Sequence, residues 1–390
     1  MVAPQPVFQP RGTPFSVVYR IRALCRAGHQ VDLVTYPYGR DVLIPGVRIL
    51  RVPRLPGVAN VGIGPSVPKL FLDTFLIVWT AVLLAWRRYD VIWSHEEAGL
   101  FCGAFSRLFG IRHIYDMHSD LAQQIQNYAR FNRQPFLWLF GLLTRAMVHS
   151  SDVVLTICDD LVNTVRGLAP NKRVLLVENY CTEVDFLDDA LPTVEELRAR
   201  HEVNGRAVAL YIGSLEPYQG IDILVDAAAH LAERQLGCRM LIVGGQPSQV
   251  EELCRTIERR GLSRVVEVVG SVPPGVVEVY INLADMLLTS RSKGTNVPLK
   301  LYQYMKSGKP IVATRIESHT QLLDDDTALL TETTGADFGK AIEQLVEHPE
   351  RAQRLAERAQ AKAQAFSNTH FERQINRALR WAIPAGRRAV

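Results

Sequence analysis

Short β-branched runs recur between longer stretches of helical periodicity, and this alternation constrains the chain more than any other feature. VDLVTY follows a helix at about 15–27 whose Val17, Val18, Ile21 and Leu24 share one face and whose stop is Gly28. DVIWSH follows an apolar helix over 70–88, HIYDMH one over 97–109, and VVLTI one over 134–149. Strands that alternate with helices need crossover connections, which make the sheet mostly parallel and cover both its faces. The class is therefore α/β, and ligands are expected beyond the carboxyl ends of the strands.

The pattern then restarts. RVLLVEN at 173–179 begins a change of domain, and the polar TEVDFLDDALPTVEEL reads as a linker. Beyond it VALYIG (208–213) leads to a helix at 220–235, and RMLIVGG (239–245) to one at 248–260. VVEVVG, DMLLTS and PIVAT supply further strands. The 390 residues suit two such domains, 1–178 and 179–365, with 366–390 as a terminal helix returning to the first. Only Met1, Val2 and Ala3 are available for the opening strand, so a curtailed strand or an upstream start is expected, the latter preferred.

Charge is unevenly spread. Residues 1–180 carry 19 basic and 12 acidic side chains, against 25 and 28 in the remainder. A basic front half suits a polyanion, an anionic membrane face or a phosphorylated substrate, and also an ordinary solvated surface. The six cysteines form no CxxC pair, which fits buried free thiols in a reducing compartment rather than a zinc site or a disulfide framework. The opening MVAPQPVFQPRG puts prolines where a leader would need an apolar core, so a cytoplasmic location is expected. The longest apolar run, FLIVWTAVLLAW at 75–86, falls short of the roughly twenty residues of a bilayer span. It reads as a core helix in preference to an interfacial one, though its exit through Arg87 and Arg88 leaves peripheral contact with an anionic membrane open.

The densest chemistry lies in RSKGTNVPLKLYQYMKSGKPIVAT, 291–314, which contains no carboxylate. Gly294-Thr295-Asn296 suits a turn, Pro298 the first position of a helix, Gly308 its end and Pro310 the next strand. The free backbone N–H groups at the helix start would seat a diphosphate, with Asn296, Val297, Pro298 and Leu299 forming that segment. Lys300 stands in the first turn, where a cation opposes the helix dipole unless an anion is present.

The paired domains, the Gly-rich turn near the N-terminus and the order YIGSLEPYQGIDILVDAA, MLIVGG, PLKLYQYM, GKPIVAT resemble the retaining GT-B glycosyltransferases of family 4. The resemblance implies two Rossmann-like domains with parallel sheets facing across a cleft. It also implies a nucleotide-diphosphate sugar as donor, a glycan or lipid-linked acceptor, and neither a bound metal, a cofactor nor nucleic acid. Arg11, Gly12 and Thr13 match the loop that closes over the donor phosphates. Gly213, Gly244 and the backbone near Val272 match the nucleotide's approach to the strand ends, and Asn179 and Asp185 an interdomain turn.

Departures stand at four positions. Ser214 and Gln219 replace an arginine and a lysine that grip the diphosphate in the family, and Thr295 and Gln303 replace two glutamates. Arg291, Lys293 and Lys300 are then the nearest substitutes for the lost charge, with Arg11 across the cleft. His118 matches the family histidine near the transferred sugar, and His95, with Glu96, would border the acceptor. His118, His95 and Lys300 are thus the catalytic candidates. The missing charges leave two alternatives open, a nucleotide-sugar epimerase or hydrolase on the same fold and an inactive GT-B binding protein.

Overall fold

The computed structural model describes residues 1–8, 12–39, 44–54, 67–121, 134–178 and 191–383. Two compact units emerge: Met1–Asn179 with Asn368–Val390, and Tyr180–Ser367. Arg11, Asn179 and Asp185 lie outside the described residues, as does most of the polar linker.

The first unit holds a seven-stranded parallel sheet in the order β3-β2-β1-β4-β5-β6-β7. Its strands are β1 (Val2–Ala3), β2 (Val31–Thr35), β3 (Val47–Arg51), β4 (Val91–His95), β5 (Arg112–Met117), β6 (Val153–Thr156) and β7 (Val174–Leu176). The crossovers are α1 (Gly12–Arg26), α2 (Val67–Trp86), α3 (Ala98–Phe109), α4 (Gln134–Ser150) and α5 (Asp159–Leu168). The opening strand is indeed two residues long, yet it is central: it pairs with β2 on one side and β4 on the other, and both residues are buried. RVLLVEN supplies the seventh strand of this unit.

The second unit carries α6 (Val194–Arg200) and a six-stranded parallel sheet ordered β10-β9-β8-β11-β12-β13. These are β8 (Ala207–Ile212), β9 (Cys238–Val243), β10 (Val266–Gly270), β11 (Met286–Thr289), β12 (Ile311–Thr314) and β13 (Leu329–Thr331). Its core joins the sheet to α7 (Ile221–Glu233), α8 (Pro247–Arg259) and α12 (Gly335–Glu347) through Ala227, Ala228, Leu231, Phe338 and Ile342, all buried. Between them run α9 (Pro274–Leu283), α10 (Leu299–Lys306) and α11 (Glu317–Thr320), and α13 (Pro349–Ala363) follows. The last helix, α14 (Asn368–Ala382), belongs to the first unit and packs on α1, β5, β6 and β7.

Helix α2 spans 20 residues, close to the 70–88 expected, with Asp73 inside it: the Tyr36 hydroxyl donates to Asp73 Oδ1 at 2.5 Å and the carboxyl sits half-buried. It departs from the sequence reading in not being a core helix. Only the stripe Leu72, Leu76, Thr80 and Leu84 is buried, one residue per turn. Cys25, Cys102, Cys158, Cys238 and Cys254 are free; Cys102, Cys158 and Cys238 are buried, Cys25 and Cys254 only half-buried, and Cys181 lies outside the described residues.

Candidate active site

In the first unit, β4 and β5 end side by side with His95 in register with Asp116. Side chains two apart on a strand share a face, so Trp93, His95, Asp116 and His118 converge on the side covered by α1. Arg20 projects from α1 onto this group. Its Nε donates to Asp116 Oδ2 at 2.8 Å, and its Nη2 donates to Asp116 Oδ1 at 3.4 Å and to the Val177 carbonyl at 3.3 Å. Trp93 Nε1 donates to Asp116 Oδ2 at 3.1 Å. All of these side chains are buried. Burial alone would raise the Asp116 pKa, but the Arg20 guanidinium and the two imidazoles outweigh it and hold the carboxyl well below the usual range.

His95 Nδ1 and His118 Nε2 are 3.0 Å apart, one donating to the other. His118 Nε2 also stands 3.3 Å from Asp116 Oδ1, and an anion at that distance favours the proton on His118 Nε2. Burial lowers both imidazoles; His118 falls to about 4, so each is neutral near pH 7. His95, Asp116 and His118 bring three ligand atoms within 4.8 Å of one another, but Arg20 already donates to both Asp116 oxygens. A divalent cation there would stand against a guanidinium. Beside them Glu96 takes a left-handed backbone, φ 48°, and accepts from Ser119 Oγ at 2.9 Å. Burial and the neighbouring Glu97 raise its carboxyl to about 8. Gly12 and Thr13 form the first turn of α1 rather than a closing loop.

In the second unit, the ends of β8, β9 and β11 and the start of α10 meet. Gly213 follows β8 and Gly244 follows β9. A Cβ on Gly244, at φ 123°, would fall 2.0 Å from the Gly213 carbonyl oxygen, so only glycine lets these two turns touch. Lys300 reaches back over this point. Its ammonium donates to the Ile212 carbonyl at 3.2 Å and lies 4.1 Å from the Tyr211 ring centroid. Burial, then Arg291, lowers its pKa to about 7. Arg291 lies over the Tyr218 ring at 5.2 Å and donates to the carbonyls of Lys293 at 2.9 Å and Asn296 at 2.8 Å, which shapes the 291–296 turn. Its pKa is also lowered by burial. Both cations are half-buried, and among the described residues no carboxylate pairs with either.

Ser214 and Gln219, at which the resemblance implies two lost charges, face each other: Gln219 Nε2 donates to Ser214 Oγ at 3.4 Å. Ser290 Oγ donates to the Gln219 carbonyl at 2.9 Å and ties this loop to β11. Thr295 is held by its carbonyl, which accepts from Gln321 Nε2 at 2.5 Å. Pro298 precedes α10 instead of opening it, Leu299 is the first helical residue, and Val297 is buried beneath. Lys293 is exposed. Gln303 sits half-buried on α10, not on an exposed face, and Val272 stands half-buried after β10, two strands from β8.

Several residues here carry weight that the sequence did not disclose. Tyr211 and Tyr304 sit in runs that read as plain core, yet Tyr211 Oη donates to the Ser214 carbonyl at 2.8 Å and Tyr304 Oη accepts from Ile212 N–H at 3.1 Å. His319 Nδ1 donates to the Thr314 carbonyl at 2.8 Å, and its Nε2 meets Thr289 Oγ1 at 3.0 Å, fixing β12 against β11. Burial lowers it to about 3, and Lys300 and Arg291 add to that shift, which marks the field here as positive. Arg20 and Asp116 were also missed. Their signal was present, an arginine inside an apolar helix face and an aspartate inside a buried strand, each demanding a partner.

The sequence profile described as "Glycosyl transferases group 1" matches residues 193–362, and that described as "Glycosyl transferase 4-like domain" matches 15–180. Alpha-D-kanosaminyltransferase of Streptomyces kanamyceticus is 26% identical over 267 residues, 65% of this chain and 66% of that one. D-inositol 3-phosphate glycosyltransferase of Corynebacterium aurimucosum is 25% identical over 374 residues, 90% of this chain and 86% of the other. Among solved structures, Anabaena HepE in complex with UDP and glucose superposes with TM-score 0.74 at 17% identity, over 97% of this chain and 98% of that one. Sucrose-phosphate synthase of Thermosynechococcus elongatus gives 0.77 at 18% identity with the same coverage. At such identities the structural likeness concerns the fold. The chain belongs to the group 1 glycosyltransferases of family 4 type, it has the GT-B fold, and its activity is glycosyl transfer.

Proposed function

We propose that the chain moves a sugar from a nucleoside-diphosphate sugar to a glycan or lipid-linked acceptor, with retention of anomeric configuration, in the cytoplasm and without a bound metal. The observation that carries this reading is the pair of half-buried cations, Lys300 and Arg291, with no carboxylate partner among the described residues at the mouth of β8 and β11. A buried cation without a counter-charge is costly, and a diphosphate would supply that charge. These two residues take over the task that Ser214 and Gln219 cannot perform.

In the reaction the acceptor hydroxyl forms its bond to the anomeric carbon as the bond to the diphosphate oxygen breaks. The acceptor proton passes to that departing oxygen on the same face of the sugar. Negative charge grows on the leaving diphosphate, and Lys300 and Arg291 stabilise it. His118, neutral at physiological pH, acts as a hydrogen-bonding residue for the sugar rather than as a cationic acid. Arg20 on both oxygens of Asp116 supports the metal-free reading, since it holds the site where three ligand atoms converge.

HepE is described in complex with UDP-glucose, so a panel of nucleotide sugars led by uridine donors is the starting point, followed by the anomeric configuration of the product by NMR. An inverted product would overturn the retaining mechanism. His118→Ala is expected to lower the turnover number about tenfold and to leave donor affinity within about twofold. Equal turnover at saturating substrates would remove His118 from the site. Transfer is expected to persist after exhaustive chelation; activity lost to chelator and restored by a divalent ion would refute metal independence.

A further inference from the structure

Helix α2 is apolar nearly all round and long enough to cross a bilayer by length and composition, yet only four of its 20 residues are buried. A helix with apolar residues on every side normally lies inside a protein core. Here Leu70, Phe71, Val78, Trp79 and Trp86 are exposed, Trp86 by 85%. The exposure does not stop at α2. Helix α3 packs between α2 and α4 on one side of the sheet, and it presents Leu100 and Leu108. Helix α4 presents Trp138, Leu139 and Leu142. Neighbouring helices thus share one outward apolar face, and continuous surfaces of this kind mark interaction sites.

The charge of this face selects its partner. The three helices contain one carboxylate, Asp73, and that one turns inward to the Tyr36 hydroxyl. Arg88 just past α2, Arg107 on α3 and Arg145 on α4 are exposed, with no ion-pair partner among the described residues. Exposed tryptophans, aliphatic side chains and unpaired arginines without acids match the interfacial layer of an anionic bilayer. We propose that the α2–α3–α4 face docks on an anionic phospholipid membrane and lies in its interface rather than spanning it. Spanning would pull α2 from the sheet and expose Leu72, Leu76, Leu84 and the Asp73 carboxyl. Crossover helices run antiparallel to their strands, so Phe71, Leu100 and Trp138 lie toward the end of the sheet that carries His95 and His118. A lipid-linked acceptor could reach that end without leaving the bilayer.

This docking is independent of the proposed donor chemistry and is tested without nucleotide. The intact protein is floated with vesicles of neutral phosphatidylcholine alone or containing phosphatidylglycerol, at low and high salt, and tryptophan emission is followed. Binding to the anionic vesicles, weakened by salt, with a blue shift, is expected. The triple variant Phe71→Gln/Trp86→Gln/Trp138→Gln should lose at least about tenfold in partitioning. Arg88→Gln/Arg107→Gln/Arg145→Gln should lose about fivefold per charge on anionic vesicles and nothing on neutral ones. Unchanged thermal melting shows that these surface variants remain folded. No vesicle binding by the unmodified protein, or binding indifferent to both variants, overturns the proposal. So does a concentration-dependent dimer that the apolar variant dissociates while vesicle binding is absent, because the face would then be covered by a second copy.

Discussion

Lys300→Ala is expected to weaken binding of the nucleoside diphosphate about a hundredfold, with Arg291→Ala close behind, because truncating one member of a buried charged contact costs about 2–5 kcal/mol. The cause is visible around the ammonium: the Ile212 carbonyl and the Tyr211 ring hold it, burial and Arg291 drive its pKa down to about 7, and no described carboxylate relieves it. A bound diphosphate would restore the proton's hold. The binding constant should therefore be flat below pH 7 and fall as pH rises above it, since each binding event then takes up a proton. Calorimetry in buffers of different ionisation enthalpy reads that uptake directly. Lys300→Ala binding as tightly as the unmodified chain, or binding with no linked proton at pH 8, would sink the assignment. Ser214→Arg gives a complementary test, as it returns a charge to the place where the family resemblance implies one.

Asp116→Asn should cost about 3–5 kcal/mol of stability in the first unit, because Arg20 would be left buried with a neutral partner. Denaturant unfolding followed in that unit measures it, and a loss below about 1 kcal/mol would show that the ion pair contributes little. Arg20→Met/Asp116→Leu, which removes both charges, should recover most of the loss. The same cluster sets an acid limit. Asp116 has a folded pKa below its unfolded one, so its contribution is present above the ordinary carboxylate range and disappears as pH falls through the folded value. The histidines act in the same direction. His118 titrates near 4 when folded and near 6.5 when unfolded, so the unfolded chain binds protons first as pH drops through this window. A shift of that size corresponds to about 3 kcal/mol lost between pH 6.5 and 4. Stability that rises on acidification in this range would contradict the buried neutral assignment.

Much of this architecture was legible because its signals are local. The alternation of VDLVTY, DVIWSH and HIYDMH with apolar helices is enough to give a parallel sheet, and GKPIVAT places β12 to within a residue. What escaped depended on partners distant in the chain. Asp73 lies inside an apolar helix, and nothing local shows that the Tyr36 hydroxyl, 37 residues earlier, is its partner. VRILR of β3 gave no clear alternation and passed unread, although β2 pairs with it along five residues. In the site, Lys300 and Arg291 were visible as charges, but not the aromatic rings that seat them, since Tyr211 reads as an ordinary core residue. The exposed face of α2 was hidden for a more general reason. Hydropathy reports that a helix wants to leave water, and cannot say whether protein or lipid receives it.

The return of α14 to the first unit has a consequence for biosynthesis. Phe371 covers the Arg20 guanidinium at 5.3 Å, and α14 lies along β5, β6 and β7. On the ribosome, strands β1 to β7 emerge long before residues 368–382 do. Domains usually complete themselves in the order of synthesis. Here the second unit has all its strands in hand while the first still waits for its last helix, so the part made earliest is the part finished last. During that interval the Arg20–Asp116 pair lacks its aromatic cover, and the nascent chain would depend on nearby factors to keep it from misassembly.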